Sequence, residues 1–147
     1  MTKSDKEKWD RKYAKQDLYQ EVSQVVLAYQ HWIPSEGKAL DVAGGTGRHA
    51  IWLAQRGLDV SLVDVSSEAL RQAAIRASEA GVELTTFCRD LDGGLPEGKW
   101  DFIFTNLFFD RRLFSYFREA LAPGGRLMVI QPTQTNATRH QKPPGKF

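Results

Sequence analysis

The stretch LDVAGGTGRHA, Leu40 to Ala50, ends an apolar run in glycines and opens a helical pattern, with Asp41 just ahead of the glycines. A glycine-rich turn between strand and helix lets the backbone approach a ligand closely, and the helix N-terminus presents unpaired N–H groups to an anion. Gly45-Thr-Gly47-Arg-His-Ala50 also fits the G-x-G-x-x-A dinucleotide pattern, so the glycines by themselves leave the cofactor open. The flanking acids decide. Asp41 stands in a strand that runs apolar in dinucleotide-binding proteins, and it can accept a hydrogen bond from a ligand ammonium. Asp64, 23 residues on, ends the run Val60-Ser-Leu-Val-Asp and can accept from both hydroxyls of a ribose. Asp90 closes Phe87-Cys-Arg-Asp, where a carboxylate can take the amino group of an adenine. Three acids at three consecutive strand ends, around one glycine turn, describe a pocket for a nucleoside with an amino-acid tail.

On these residues the chain resembles the class I S-adenosylmethionine-dependent methyltransferases. The resemblance runs from Lys38 to Gln131. LDVAGGTG matches the family's first motif, VDVS at Val63 to Ser66 the acidic second, and CRDLD at Cys88 to Asp92 the third. WDFIFTNLFFDR at Trp100 to Arg111 matches the fourth, and LAPGGRLMVI at Leu121 to Ile130 the turn and fifth strand that follow. KWDRKYA at Lys8 to Ala14, with GRHAIWLAQRG, is similar to a small bacterial subgroup of tellurite-resistance-type and thiopurine-type methyltransferases.

The resemblance implies S-adenosylmethionine as cofactor, held by Asp41, Gly44, Gly45, Gly47, Asp64, Val65, Asp90, Leu91 and Asn106. It adds Trp9 and Tyr13, four apart on a charged helix, as a cover over the methionine end; the alternative is that they staple the helix to the sheet. Arg48 can neutralise the methionyl carboxylate, whereas His49 reads as a surface or packing residue. Catalytic candidates are Tyr13, Asp110 and Arg111, with Asp110 better read as the cap of the next helix. Phe108 and Phe109 read as either pocket wall or core.

At 147 residues the chain suits one domain, with 20 basic and 18 acidic residues giving a formal charge of +2 and no electrostatic case for nucleic acid. The single cysteine, Cys88, precludes an internal disulfide and fits the cytoplasm, and the three histidines have no zinc spacing. No apolar run approaches the roughly 20 residues of a membrane span. Short apolar strands alternating with helices imply an α/β, Rossmann-like, doubly wound parallel sheet of order 3-2-1-4-5, covered on both faces. Helices are expected over 4–33, including one from Gln20 to Trp32 with Val22, Val25, Val26 and Tyr29 buried. Another starts at Ser66 with Leu70, Ala73, Ala74 and Ala77 inward, and a third carries Leu113, Tyr116, Phe117 and Ala120 before a Pro123-Gly-Gly turn. The domain takes in 1–131; residues 132–147, poor in apolar side chains, read as a loop or disordered tail.

The resemblance implies a sixth and seventh strand after the fifth, which this sequence is expected to lack, either because they were removed or because a partner supplies them, so Leu127-Met-Val-Ile is expected at an open edge through which the chain self-associates. The reading is methyl transfer to a small nucleophile, such as a thiol or a selenium or tellurium oxyanion, with weak turnover by this chain alone. The competing readings are an NAD(P)-dependent oxidoreductase and a non-catalytic S-adenosylmethionine-binding module.

Overall fold

Strands buried on both faces need nearly continuous apolar sequence, and three runs supply it: β1 (Lys38–Val42), β2 (Asp59–Asp64) and β4 (Trp100–Asn106). The computed structural model describes residues 3–15 and 21–132, with side chains up to Lys12 in the first stretch. With β3 (Thr85–Cys88) and β5 (Leu121–Ile130) these form a five-stranded parallel sheet of order β3-β2-β1-β4-β5, as expected. The order reverses between β1 and β4, which pair through Ala39↔Phe102 and Asp41↔Phe104.

Side chains alternate across the sheet, so each face has its own core. Ala39, Val60, Leu62, Phe102 and Phe104 meet Val26, Ala50, Leu53, Leu70 and Ala73 from helices α2 (Gln24–Ala28), α3 (Arg48–Gln55) and α4 (Ser67–Glu79). Leu40, Val42, Val63 and Ile103 meet Leu113, Phe117 and Ala120, the last two on α5 (Phe114–Ala120). Asp41 shares the face of Ala39, which turns it towards α3 and α4. An N-terminal helix, α1 (Lys3–Lys15), lies against α4.

Helix α4 starts as read: the Ser66 hydroxyl accepts from the Ala69 N–H at 3.1 Å, and Gly81 ends it with φ +74°. Ala74, expected inside, faces solvent, because the buried arc centres on Leu70, Ala73 and Ala77 and leaves Ala74 beyond its rim. Tyr116 on α5 is likewise 40% exposed, lying beside Gly94.

The helix expected from Gln20 to Trp32 is corrected more deeply. Helix α2 begins only at Gln24, and a 3₁₀ turn covers Gln30–Trp32. The cause is tertiary: the Glu21 carbonyl accepts from Arg48 and the Ser23 N–H donates to His49, so this segment bonds to α3 rather than to a helical turn of its own. Val26 stays buried, but Val25 and Tyr29 are 46% and 54% exposed.

Pro123-Gly-Gly is not a free turn but a bulge within β5, where pairing jumps from Trp100↔Leu121 to Phe102↔Arg126. Proline has no N–H to continue the ladder, so the strand steps out and rejoins at Arg126. Among the described residues no helix is long and apolar enough to cross a membrane. The expected tail, from residue 133 on, lies outside the described residues.

The outer edge of β5 carries no partner strand among the described residues, and Leu127, Met128, Val129 and Ile130 are only half-buried. The chain is expected to self-associate through this edge as concentration rises, and Val129→Lys to suppress it. Sedimentation velocity checks this; wild-type protein that stays monomeric at high concentration contradicts it.

Candidate functional site

The glycine loop lies where β1, β2 and β4 end. A Cβ on Gly44 would overlap Leu62 Cδ1 and the Asp41 carboxylate, and one on Gly47, at φ +84°, would come to 3.0 Å from the Ala73 Cβ. Glycine at these two places lets the loop lie on β1 and brings α3 against α4. Ala43 and Leu107 have φ +56° and +61°, and each stands just past one of the two strands flanking the reversal of order. Left-handed backbone at non-glycine residues is strained, and such strain gathers at binding sites.

Asp41 is 1% exposed, and its Oδ2 atom has no hydrogen-bond partner. Burial, reinforced by the nearby Asp64 charge and only partly opposed by Arg48, pushes its carboxyl up to about 8. Asp64 is also buried but satisfied: Oδ2 accepts from the Gly45 N–H and Oδ1 from the Ser66 N–H, both at 2.9 Å. Burial raises its pKa while these N–H groups hold it down. A carboxylate has about four lone-pair sites, so Asp64 can still accept from a ligand.

Asp90 follows β3, is exposed, and accepts from the Asp92 N–H at 2.9 Å, capping the 3₁₀ turn Leu91–Gly93. Asp41 thus stands next to last in β1, Asp64 ends β2 and Asp90 follows β3, and these three strands are neighbours in the sheet. Val65 is buried beyond β2, and Leu91 enters the core on the α5 side.

Arg48 and His49 open α3, and both turn towards the chain entering α2. Arg48 Nη1 donates to the Glu21 carbonyl at 3.1 Å, and His49 Nε2 accepts from the Ser23 N–H at 3.2 Å. The His49 ring packs 5.2 Å from Phe104, and burial with the Arg48 charge brings its pKa down to about 4. His49 is therefore a neutral packing residue with Nε2 occupied.

Asn106 ends β4, half-buried. Asp110 accepts from the Arg112 N–H at 3.0 Å and from its guanidinium at 2.7 Å, and these bonds hold its pKa down. It serves as the cap of the 3₁₀ turn Arg111–Leu113 that leads into α5. Phe108 joins the core, whereas Phe109 is 47% exposed against the Phe114 ring. Arg111 is exposed on the same turn. Trp9 is half-buried on α1 with Lys12 Nζ 4.4 Å from its ring centre; the side chain of Tyr13 lies outside the described residues.

One residue went unread in the sequence. Asp10 on α1 reaches Ser66, immediately beyond the Asp64–Val65 pair, and in KSDKEKWDRKYAK nothing but its charge singles it out. Among the described residues no cluster of His, Cys, Asp and Glu is placed to hold a metal ion.

Residues 39–125 match a family model described as a methyltransferase domain. A ribosomal protein L11 methyltransferase of Thermus thermophilus is 33% identical over 102 residues, 68% of this chain and 40% of that protein. The chain therefore spans about two fifths of the length of this curated relative. Among solved structures, a DhpI–SAM–HEP complex is similar with TM-score 0.70 at 20% identity, covering 97% of this chain and 71% of that one. TehB from Haemophilus influenzae is similar with TM-score 0.67 at 20% identity, covering 82% and 44%. At these identities the structural likeness is one of fold.

Asp41 sets a pH dependence. Its folded pKa, about 8, lies above the ordinary 3.8, so between those values the native state holds a proton that the unfolded chain has lost. Stability of the ligand-free protein therefore falls as pH rises through that window. Asp41→Asn is expected to be near-neutral at the acid end and to gain on wild type, by on the order of a few kcal/mol, towards the alkaline end. Urea unfolding across the window checks this; a wild-type-minus-variant difference that does not change with pH contradicts it.

Proposed function

The chain belongs to the class I S-adenosylmethionine-dependent methyltransferases, and from that premise we propose that it binds S-adenosylmethionine across the ends of β1, β2 and β3 and passes the methyl group to a small nucleophile. The observation that carries the reading is the Asp41 Oδ2 atom, a buried carboxylate oxygen with no partner beside a loop on which Gly44 has no room for a side chain. A buried acceptor left open in the folded chain costs energy unless a ligand donor completes it. The ammonium of the methionyl tail is such a donor, and taking it requires Asp41 to release its proton.

Asp64 accepts from the ribose hydroxyls, Asp90 from the adenine amino group, and Val65 and Leu91 flank the base. The loop Gly44 to Gly47 and the first turn of α3 lie along the methionyl tail. Arg48 is available to its carboxylate only by leaving or sharing the Glu21 carbonyl. Asn106, at the end of β4, stands beside the transfer position, and Trp9 helps cover the pocket. Residues 1–131 constitute the methyltransferase domain, and a cytoplasmic, reducing setting suits the single Cys88.

Bound S-adenosylmethionine supplies a methyl carbon already made electrophilic by its sulfonium. What the chain adds is placement and the exclusion of water, which supplies several kcal/mol of barrier lowering. Among the described residues no strong base is built near β4: His49 is buried, neutral and occupied at Nε2, and Asp110 is committed to Arg112. An acceptor that needs little deprotonation fits these residues, such as a thiolate or a selenium or tellurium oxyanion. Arg111, exposed beside that position, offers charge to an anionic acceptor. The alternative within the family is a cofactor-binding module without turnover.

Asp64→Ala is expected to weaken S-adenosylhomocysteine binding by about 1 to 3 kcal/mol, because two ligand hydroxyls lose their acceptor. Calorimetry measures it, and unchanged affinity removes the ribose assignment. Methyl transfer assayed with thiol, selenite and tellurite acceptors tests the rest. Turnover of one of these acceptors is expected; cofactor affinity with no turnover of any acceptor favours the module.

A further inference from the structure

We propose that Asp10 is a positioning residue that seats α1 over the ribose side of the pocket, and that the seated helix and the bound nucleoside stabilise each other through Ser66. This rests on the reading that Asp64 takes the ribose. The starting point is what α1 lacks. Among the described side chains of α1, which end at Lys12, Trp9 is the only large apolar one, and the rest of that stretch is charged or polar. A polar helix of 13 residues is marginal in water by itself, so its docking depends on specific bonds.

Those bonds converge on the first turn of α4. Asp10 Oδ1 accepts from the Ser66 hydroxyl at 2.5 Å and from the Glu68 N–H at 3.3 Å, while Oδ2 pairs with Lys6 Nζ at 2.5 Å. Lys6 also donates to the Ser67 hydroxyl at 3.1 Å. A carboxylate here meets the unpaired N–H groups and positive dipole of α4, the end at which it is most stabilised.

Ser66 joins this latch to the cofactor site. Its hydroxyl donates to Asp10 and caps α4 by accepting from the Ala69 N–H, while its own N–H donates to Asp64 Oδ1. Two carboxylates therefore bear on one residue, Asp10 through its hydroxyl and Asp64 through its N–H. Their like charges repel, and Lys6 offsets that repulsion on one side only. Ligand hydroxyls donating to Asp64 draw charge from the other side, which favours the seated position of Asp10. Coupling of this kind is reciprocal, so seating α1 must also tighten nucleoside binding.

The test uses the full chain with S-adenosylhomocysteine as ligand and hydrogen exchange by mass spectrometry as readout. In ligand-free Asp10→Ala the α1 amides are expected to exchange about tenfold faster, the loss of charged hydrogen bonds, while β1 to β4 keep wild-type protection. Affinity for S-adenosylhomocysteine should fall several-fold. Asp10→Asn, which keeps an acceptor for Ser66 and Glu68 but loses the Lys6 charge pair, should recover much of both. In wild type, ligand should slow α1 exchange, and in Asp10→Ala it should do so much less. The proposal is overturned if Asp10→Ala leaves α1 exchange unchanged, if α1 loosens with no change in affinity, or if protection falls throughout the sheet. Asp64→Ala measured in parallel separates the two readings: wild-type affinity there removes the ribose assignment, while faster α1 exchange in ligand-free Asp10→Ala would still establish the latch.

Discussion

The buried carboxylate of Asp64 holds two parts of the chain in one place. One oxygen accepts from Gly45 in the loop after β1, and the other accepts from Ser66 in the turn after β2. Without it both N–H groups would be left inside the protein with no acceptor, a cost of about 1 to 3 kcal/mol for each. The loop is fixed against the end of β2, α3 leaves it towards α4, and the close approach of Gly47 to Ala73 follows. The position of α1 depends on the same turn, because Ser66 also bonds Asp10.

Asp41 is the opposite case, close by. It is as deeply buried, yet one of its oxygens is left open, and the protein meets the cost by keeping the carboxyl protonated near neutral pH. Two acids at the ends of adjacent strands are thus set to different tasks by their hydrogen bonds. The satisfied one organises backbone, and the unsatisfied one keeps an acceptor for a ligand. The left-handed residues Ala43 and Leu107 add backbone strain at the same end of the sheet. Local stability is lower where a ligand can restore it, as expected of a binding site supported by a well-packed scaffold.

At this same end, the first turn of α3 also has a structural task. Arg48 and His49 reach outwards to Glu21 and Ser23 and fasten the chain entering α2. The helix that follows the glycine loop therefore ties the cofactor end of the sheet to the N-terminal segment. Asp110 does comparable work beyond β4, where its carboxylate caps a turn and pairs with Arg112, which also reaches Asp92 across the gap to the turn after β3.

The sequence by itself determined the sheet, its order and the acids at its ends, because these rest on local signals. Apolar runs such as Val60-Ser-Leu-Val-Asp must be buried, right-handed crossovers leave few topologies, and Gly44 and Gly47 mark close approaches with no room for a larger side chain. Ser66 as a cap and Asp110 as another were legible for the same reason. What only the tertiary structure decided are the bonds between segments far apart in the chain. The helix read from Gln20 to Trp32 starts instead at Gln24, because Arg48 and His49 claim the backbone ahead of it, and no periodicity encodes that competition. Pro123-Gly-Gly is a bulge rather than a turn because β4 lies alongside to receive the strand again. Asp10 is one of several charges on α1, and only the fold brings it to the hydroxyl of Ser66, 56 residues away in sequence.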